Sequence, residues 1–165
     1  MAFRRPFRTA ATIVAAIAPL LIVTACSSTD DDTKTEPVVV TDQWVKAAPE
    51  TEHMTAAFAT ITNPNDREVR IVSASSDVAG TTELHEVVKD GASSTMQEKK
   101  DGFALPAGGT LELTPGGEHI MLMDLKQPIK SGETVTITLR MADGSTQAVK
   151  ALARDFAGNQ EDYQP

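Results

Sequence analysis

The sequence predicts an all-β sandwich of about eight to nine short strands. Turn signals recur at close spacing: Asn63-Pro64-Asn65, Asp90-Gly91, Asp101-Gly102, Gly108-Gly109, Pro115-Gly116-Gly117, Ser131-Gly132 and Asp143-Gly144. The runs between them are short and β-prone, and "TVTITLRM" alternates cleanly, with Val135, Ile137, Leu139 and Met141 on one face. No window makes a convincing long amphipathic helix. "TEHMTAAFAT" comes nearest, but Phe58, Thr60, Ile61 and Thr62 favour strand. There is no internal repeat.

Taken in order, residues 1–25 read as an export signal. Arg4, Arg5 and Arg8 form a positive start, and Ala10 to Val23 is apolar, of signal-peptide length and short for a membrane span. Val23-Thr24-Ala25-Cys26 resembles a bacterial lipobox, which implies cleavage before Cys26 and lipid attachment to it. "RRPF" matches a twin-arginine signal only in part, so the general secretory route is favoured. Residues 26–37 are the lipidated cysteine and a polar, acidic tether without apolar periodicity. The expected location is therefore outside the bacterial cell membrane, lipid-anchored to its outer face. Cys26 is the sole cysteine, which excludes an intramolecular disulfide.

Residues 38–154 are long enough for one domain with its own core. The strand candidates are "QWVKAA", "TAAFATITN", "EVRIVSAS", "TELHEVVK", "TMQEKK", "TLELT", "HIMLMDL", "ETVTITLRM" and "TQAVKALA". Trp44, Met54, Phe58 and Met141 are expected in the core, and His53 at the surface. Residues 155–165 read as a loosely held polar tail. After Cys26 the chain carries 23 acidic and 12 basic residues, about −11 in net charge. That balance argues against nucleic acid and against electrostatic binding to anionic lipid, so the acyl chains must hold the protein to the membrane.

The segment "HIMLMDL" raises the functional question. Residues two apart on a strand share a face, so His119, Met121 and Met123 point one way while Ile120 and Leu122 point to a core. Taken alone, the segment is best read as packing, with two methionines filling a second apolar surface and His119 at its rim. The wider donor inventory is His53, His85, His119, Met54, Met96, Met121, Met123 and Met141. Imidazole with thioether suits a soft ion, Cu(I) above all, whereas zinc sites use Cys, His or carboxylate. With Cys26 taken by lipid, no thiolate remains for a blue-copper electron-transfer centre. Thioethers also suit an oxidising compartment, because they cannot form disulfides. Glu83, Glu86 and Glu118 flank the histidines without marking acid and base roles, and are better read as acceptors that orient an imidazole. No nucleophile motif supports a Ser-His-Asp enzyme.

His85 in "TELHEVV" and Met96 in "SSTMQEKK" lie on strands that pair as a hairpin across the Asp90-Gly91 turn region. His85, ten residues, Met96, then His119-x-Met121 resembles the PCuAC family of periplasmic or extracellular copper chaperones. The resemblance covers nearly all of Val38 to Ala153. It includes "DQWVKAAP", "MTAAFATITNPNDREVRIVSASSDVAGTTELHE" and "LPAGGTLELTPGGEHIMLMDLKQPIKSGETVTITLRMADG". Two departures stand out. Twenty-two residues separate Met96 from His119, one more than usual, and the extra one is expected between Lys100 and Gly109. Glu86 stands where relatives often carry methionine.

The resemblance implies a cupredoxin-like β-sandwich and one Cu(I) held by His85, Met96, His119 and Met121. Met123 and His53 are auxiliary donors at most. It also implies a non-enzymatic chaperone that delivers copper toward cytochrome c oxidase, with a Sco-type thioredoxin-like copper protein and the oxidase copper subunit as partners. Neutral imidazoles bind the metal, so acid competes with copper, while thioethers do not titrate. Two other readings share the residues: an extracellular copper buffer, and a copper-independent interaction lipoprotein whose Met and His are only packed.

Overall fold

In the computed structural model the alternation of Thr134–Met141 is realised as a strand whose Val135, Ile137, Leu139 and Met141 are all buried. The described residues are 35–90, 93–157 and 162–163. The export segment, Cys26 and most of the tether lie outside them. Among the described residues there are eleven strands and no helix. They are β1 Val39–Lys46, β2 Met54–Thr62, β3 Val69–Ser76, β4 Ala79–Asp90, β5 Ser93–Glu98, β6 Phe103–Leu105, β7 Thr110–Leu113, β8 His119–Leu125, β9 Thr134–Met141, β10 Thr146–Arg154 and β11 Asp162–Tyr163.

Nine of these correspond to the nine runs picked out of the sequence. β6 and β11 are additional, at three and two residues. Strands that short show no periodicity of their own; β6 exists because its backbone pairs with β3, which sends Phe103 and Leu105 into the core. In the polar tail, Asp162 and Tyr163 add in parallel to β5.

The strands form one mixed sheet in the order β11-β5-β4-β8-β2-β1-β10-β9-β3-β6, with β7 also on β2. β2 divides its length, giving Met54–Ala57 to β8 and Ala59–Thr62 to β7. Leu84 near one end of this order and Ile71 near the other belong to one core, so the sheet is folded over on itself as a sandwich. Val45, Ile61, Ile71, Leu105, Leu122 and Leu139 are almost fully buried there, each worth about 1.5–3 kcal/mol of transfer free energy. Buried Asn63 ties the following loop down, donating through its amide to the Arg67, Leu105 and Pro106 carbonyls.

A bulge in β1 decides what lies outside this core. Thr41 opposes Thr60 but Trp44 opposes Phe58, so β1 carries one extra residue there. Asp42 supplies the left-handed turn with φ of 53°. The extra residue reverses the alternation. Val45 enters the main core, and Trp44 is placed on the opposite face with Phe58. Phe58 is buried as expected, whereas Trp44 is only half-buried and lies on the face away from the main core. With Ala56, Met121 and Met123 they make a second, smaller apolar cluster.

Candidate metal centre

The second cluster borders the donors. β8 pairs with β4 in a register that sets His119 directly opposite His85 and Met121 opposite Glu83. Directly opposed residues share a face, so the His119-Met121-Met123 face of β8 is also the Glu83-His85-Val87 face of β4. β5 then pairs with β4, with Glu98 opposite His85 and Met96 opposite Val87. Met96 thus sits one step diagonally from His85 on the same face. The hairpin expected from the sequence is present; residues 91 and 92 of its turn lie outside the described residues. Three neighbouring strands bring His85, His119, Met96 and Met121 together, at 0, 0, 5 and 5% exposure.

The imidazole rings lie 5.6 Å apart, centroid to centroid. Each ring is oriented by a hydrogen bond from one of its nitrogens. Nδ1–H of His119 donates to the Gly117 carbonyl at 2.9 Å, and Nε2–H of His85 donates to Glu83 Oε2 at 2.9 Å. In the neutral ring, these bonds leave the lone pair on His119 Nε2 and on His85 Nδ1, both buried atoms. The Pro115-Gly116-Gly117 turn explains the first bond. Gly116 has φ of 75°, a conformation that a side chain would strain. The Gly117 and Thr114 amides bond to Thr114 and Glu118 carbonyls, which aims the Gly117 carbonyl back at the ring.

A wall of aromatic rings bounds one side. Phe58 lies 6.2 Å from His119, Trp44 4.5 Å from Phe58 and Phe156 5.3 Å from Trp44. On the opposite face of the same strands, the Lys99 ammonium lies between Glu86 and Glu118, the residues that follow His85 and precede His119. Hydrogen bonding to Lys99, and next to Gln97, holds the Glu86 carboxyl below its ordinary value. The bond to Glu86 raises Lys99. Glu86 is thus occupied with an ion pair and points away from the donors.

Among the described residues, no group of three or more His, Cys, Asp or Glu side chains is placed to hold a metal. The chemistry available is two imidazoles with thioethers, a set that favours a soft monovalent ion over zinc or calcium. Of the auxiliary candidates, Met123 lies on the donor face two residues beyond Met121, half-buried. His53 is exposed just before β2, beside the Met54–Met123 pair, and is not brought to the four donors. Met54 departs from the expectation of a core residue: it is 39% exposed, on the Ala56-Phe58 face. Glu83 had been legible as a possible acceptor. The Gly117 carbonyl and Lys99 had not, because neither contact leaves a sequence signal.

A family model described as "Putative lipoprotein LpqE-like" matches residues 38–153. The chain belongs to this LpqE-like family. "Putative lipoprotein Lxx21020" of Leifsonia xyli is 44% identical over 159 residues, covering 93% of each chain. Among solved structures, the solution structure of CuI-DR1885 from Deinococcus radiodurans is 34% identical, with a TM-score of 0.61 over 81% of this chain and 89% of that one. The copper-bound PCuAC domain from PmoF2 is 19% identical, with a TM-score of 0.62 over 74% of this chain and 96% of that one, a likeness of fold. The LpqE-like chain thus has the PCuAC-like all-β fold that its sequence predicted.

Proposed function

We propose that this LpqE-like protein is an extracytoplasmic Cu(I) chaperone, anchored by lipid on Cys26, that holds one ion between His85, Met96, His119 and Met121. The observation that carries this reading is the opposition of two fully buried, oriented imidazoles on a face shared with two buried thioethers. The Cu(I) form of DR1885 and the copper-bound PmoF2 domain support it as relatives in sequence or fold.

His85 Nδ1 and His119 Nε2 present lone pairs without a change of tautomer, because Glu83 and Gly117 already occupy the other nitrogens. Met96 and Met121 add soft, uncharged donors that favour Cu(I) over Cu(II). Four neutral ligands leave the ion's charge uncancelled, so a thiolate acceptor competes well for it. The resemblance drawn from the sequence supports delivery to a Sco-type thioredoxin-like protein and onward to the copper subunit of cytochrome c oxidase. No bond of a substrate is made or broken.

The test is competition for Cu(I) between a chromophoric chelator and the chain from residue 27 onward, which retains the compact unit Lys34–Pro165 and lacks the Cys26 thiol. One tightly held Cu(I), sharply weakened in a Met96→Leu, Met121→Leu double variant, is the expected result. Equal retention in both proteins, or none in either, overturns the reading.

A further inference from the structure

Every one of the four proposed donors is at least 95% buried, so an ion exchanging with the outside needs an accessible first contact. Five methionines follow the initiator. Met141 alone is in the main core, while Met54, Met96, Met121 and Met123 share the donor face. Met54 and Met123 are direct cross-strand partners on β2 and β8. Such partners have Cβ atoms about 4.5–5.5 Å apart on the same side of the sheet, well within thioether reach of one ion. Packing does not call for sulfur here. Met54 is 39% exposed, and leucine would cover the same surface.

Exposure falls in order along this row. Met54 is exposed, Met123 is half-buried against the Ala56-Phe58-Met121 cluster, and Met121 is buried. Met123 and Met121 are two residues apart on one strand, about 7 Å. His119 is two residues further on. The row starts at exposed Met54 on β2, crosses to its partner Met123, and follows one face of β8 inward to His119.

From these observations we infer that Met54 and Met123 form a second, shallow Cu(I) subsite, through which the ion enters and leaves the buried centre. This rests on the copper reading above. Two thioethers without imidazole hold Cu(I) more weakly than the four buried donors, so the ion is drawn inward, and an acceptor ligand can meet it at Met54 without opening the sandwich. Neither thioether titrates, so the subsite keeps its donors in acid.

The experiment uses the chain from residue 27 onward, with methionine methyl groups labelled with carbon-13, titrated with Cu(I). The expected result is that the Met96 and Met121 methyls shift with the first equivalent and the Met54 and Met123 methyls with the second. In a Met54→Leu, Met123→Leu variant, affinity for the first ion is expected to stay within about threefold. Transfer of that ion to bicinchoninate slows about tenfold, the effect of roughly one lost contact in the transition state. Unmoved Met54 and Met123 methyls with an unchanged transfer rate overturn the subsite and leave the buried centre standing. Loss of first-site affinity in the variant also overturns it, because Met123 is then a ligand of the main centre. If the wild-type chain takes up no Cu(I), both readings fall together.

Discussion

His85 and His119 stand directly opposite each other on β4 and β8, their ring centroids 5.6 Å apart and both side chains fully buried. Their orientations are set by unlike acceptors, a carboxylate for one and a backbone carbonyl for the other.

The carboxylate is the easier to remove. Glu83→Ala takes away the acceptor that holds the His85 Nε2–H, and Cu(I) affinity is expected to fall about 10–100-fold, as for other residues that orient metal-bound imidazoles. Glu83→Gln retains an acceptor oxygen and should recover much of the loss. Chelator competition on the three proteins, with circular dichroism to show an unchanged fold, is the check.

The backbone acceptor depends on the turn before it. Gly116 has φ of 75°, so Gly116→Ala is expected to cost about 1–2 kcal/mol of stability. It should also weaken Cu(I) binding, because the Gly117 carbonyl is displaced from His119. Urea denaturation and chelator competition would show both losses; a stable variant with full affinity would mean that the turn does not set the ring.

The only tryptophan in the chain reports on the centre. Trp44 contacts Phe58, which in turn lies 6.2 Å from His119. Titration with Cu(I) is expected to change Trp44 emission with saturation at one equivalent for the first phase, and His119→Ala should abolish that phase. Emission insensitive to copper would argue that the aromatic wall is uncoupled from the donors.

The Lys99 ion pairs give a pH dependence of stability. Glu86 is held below its ordinary 4.5, so its contribution is present above that value and is lost as pH falls through the depressed one. Lys99 is raised above its ordinary 10.5, so its contribution is present below that value and lost as pH rises through the raised one. Lys99→Met is therefore expected to lower stability between about pH 5 and pH 10, with the deficit shrinking in stronger acid. Denaturant midpoints across pH would reveal it. Both groups are partly exposed, so the deficit is modest and falls further with salt.

Much of this was legible along the chain. Period two in "HIMLMDL" assigned Ile120 and Leu122 to the core and His119, Met121 and Met123 to another face, as the structure has them. Local turn chemistry around Asp90-Gly91 was enough to pair His85's strand with that of Met96. Met54 was misjudged because both faces of β2 are apolar there, Ala56 and Phe58 on one and Ala57 and Ile61 on the other, so alternation named no inner face. Trp44 was misjudged because one extra residue near Asp42 reverses the alternation, and nothing in "TDQW" announces a bulge.

The sequence by itself determined strand against helix, the two-sided character of β8 and the His-Met-Met composition of one of its faces. These are properties of a few consecutive residues, read through backbone geometry that repeats every two positions. Only the tertiary structure decided the register that sets His119 directly opposite His85, that Lys99 bridges Glu86 and Glu118, and that Met54 lies beside Met123. Register between distant strands is settled by the summed burial and hydrogen bonding of the whole sandwich, and no local stretch carries that sum.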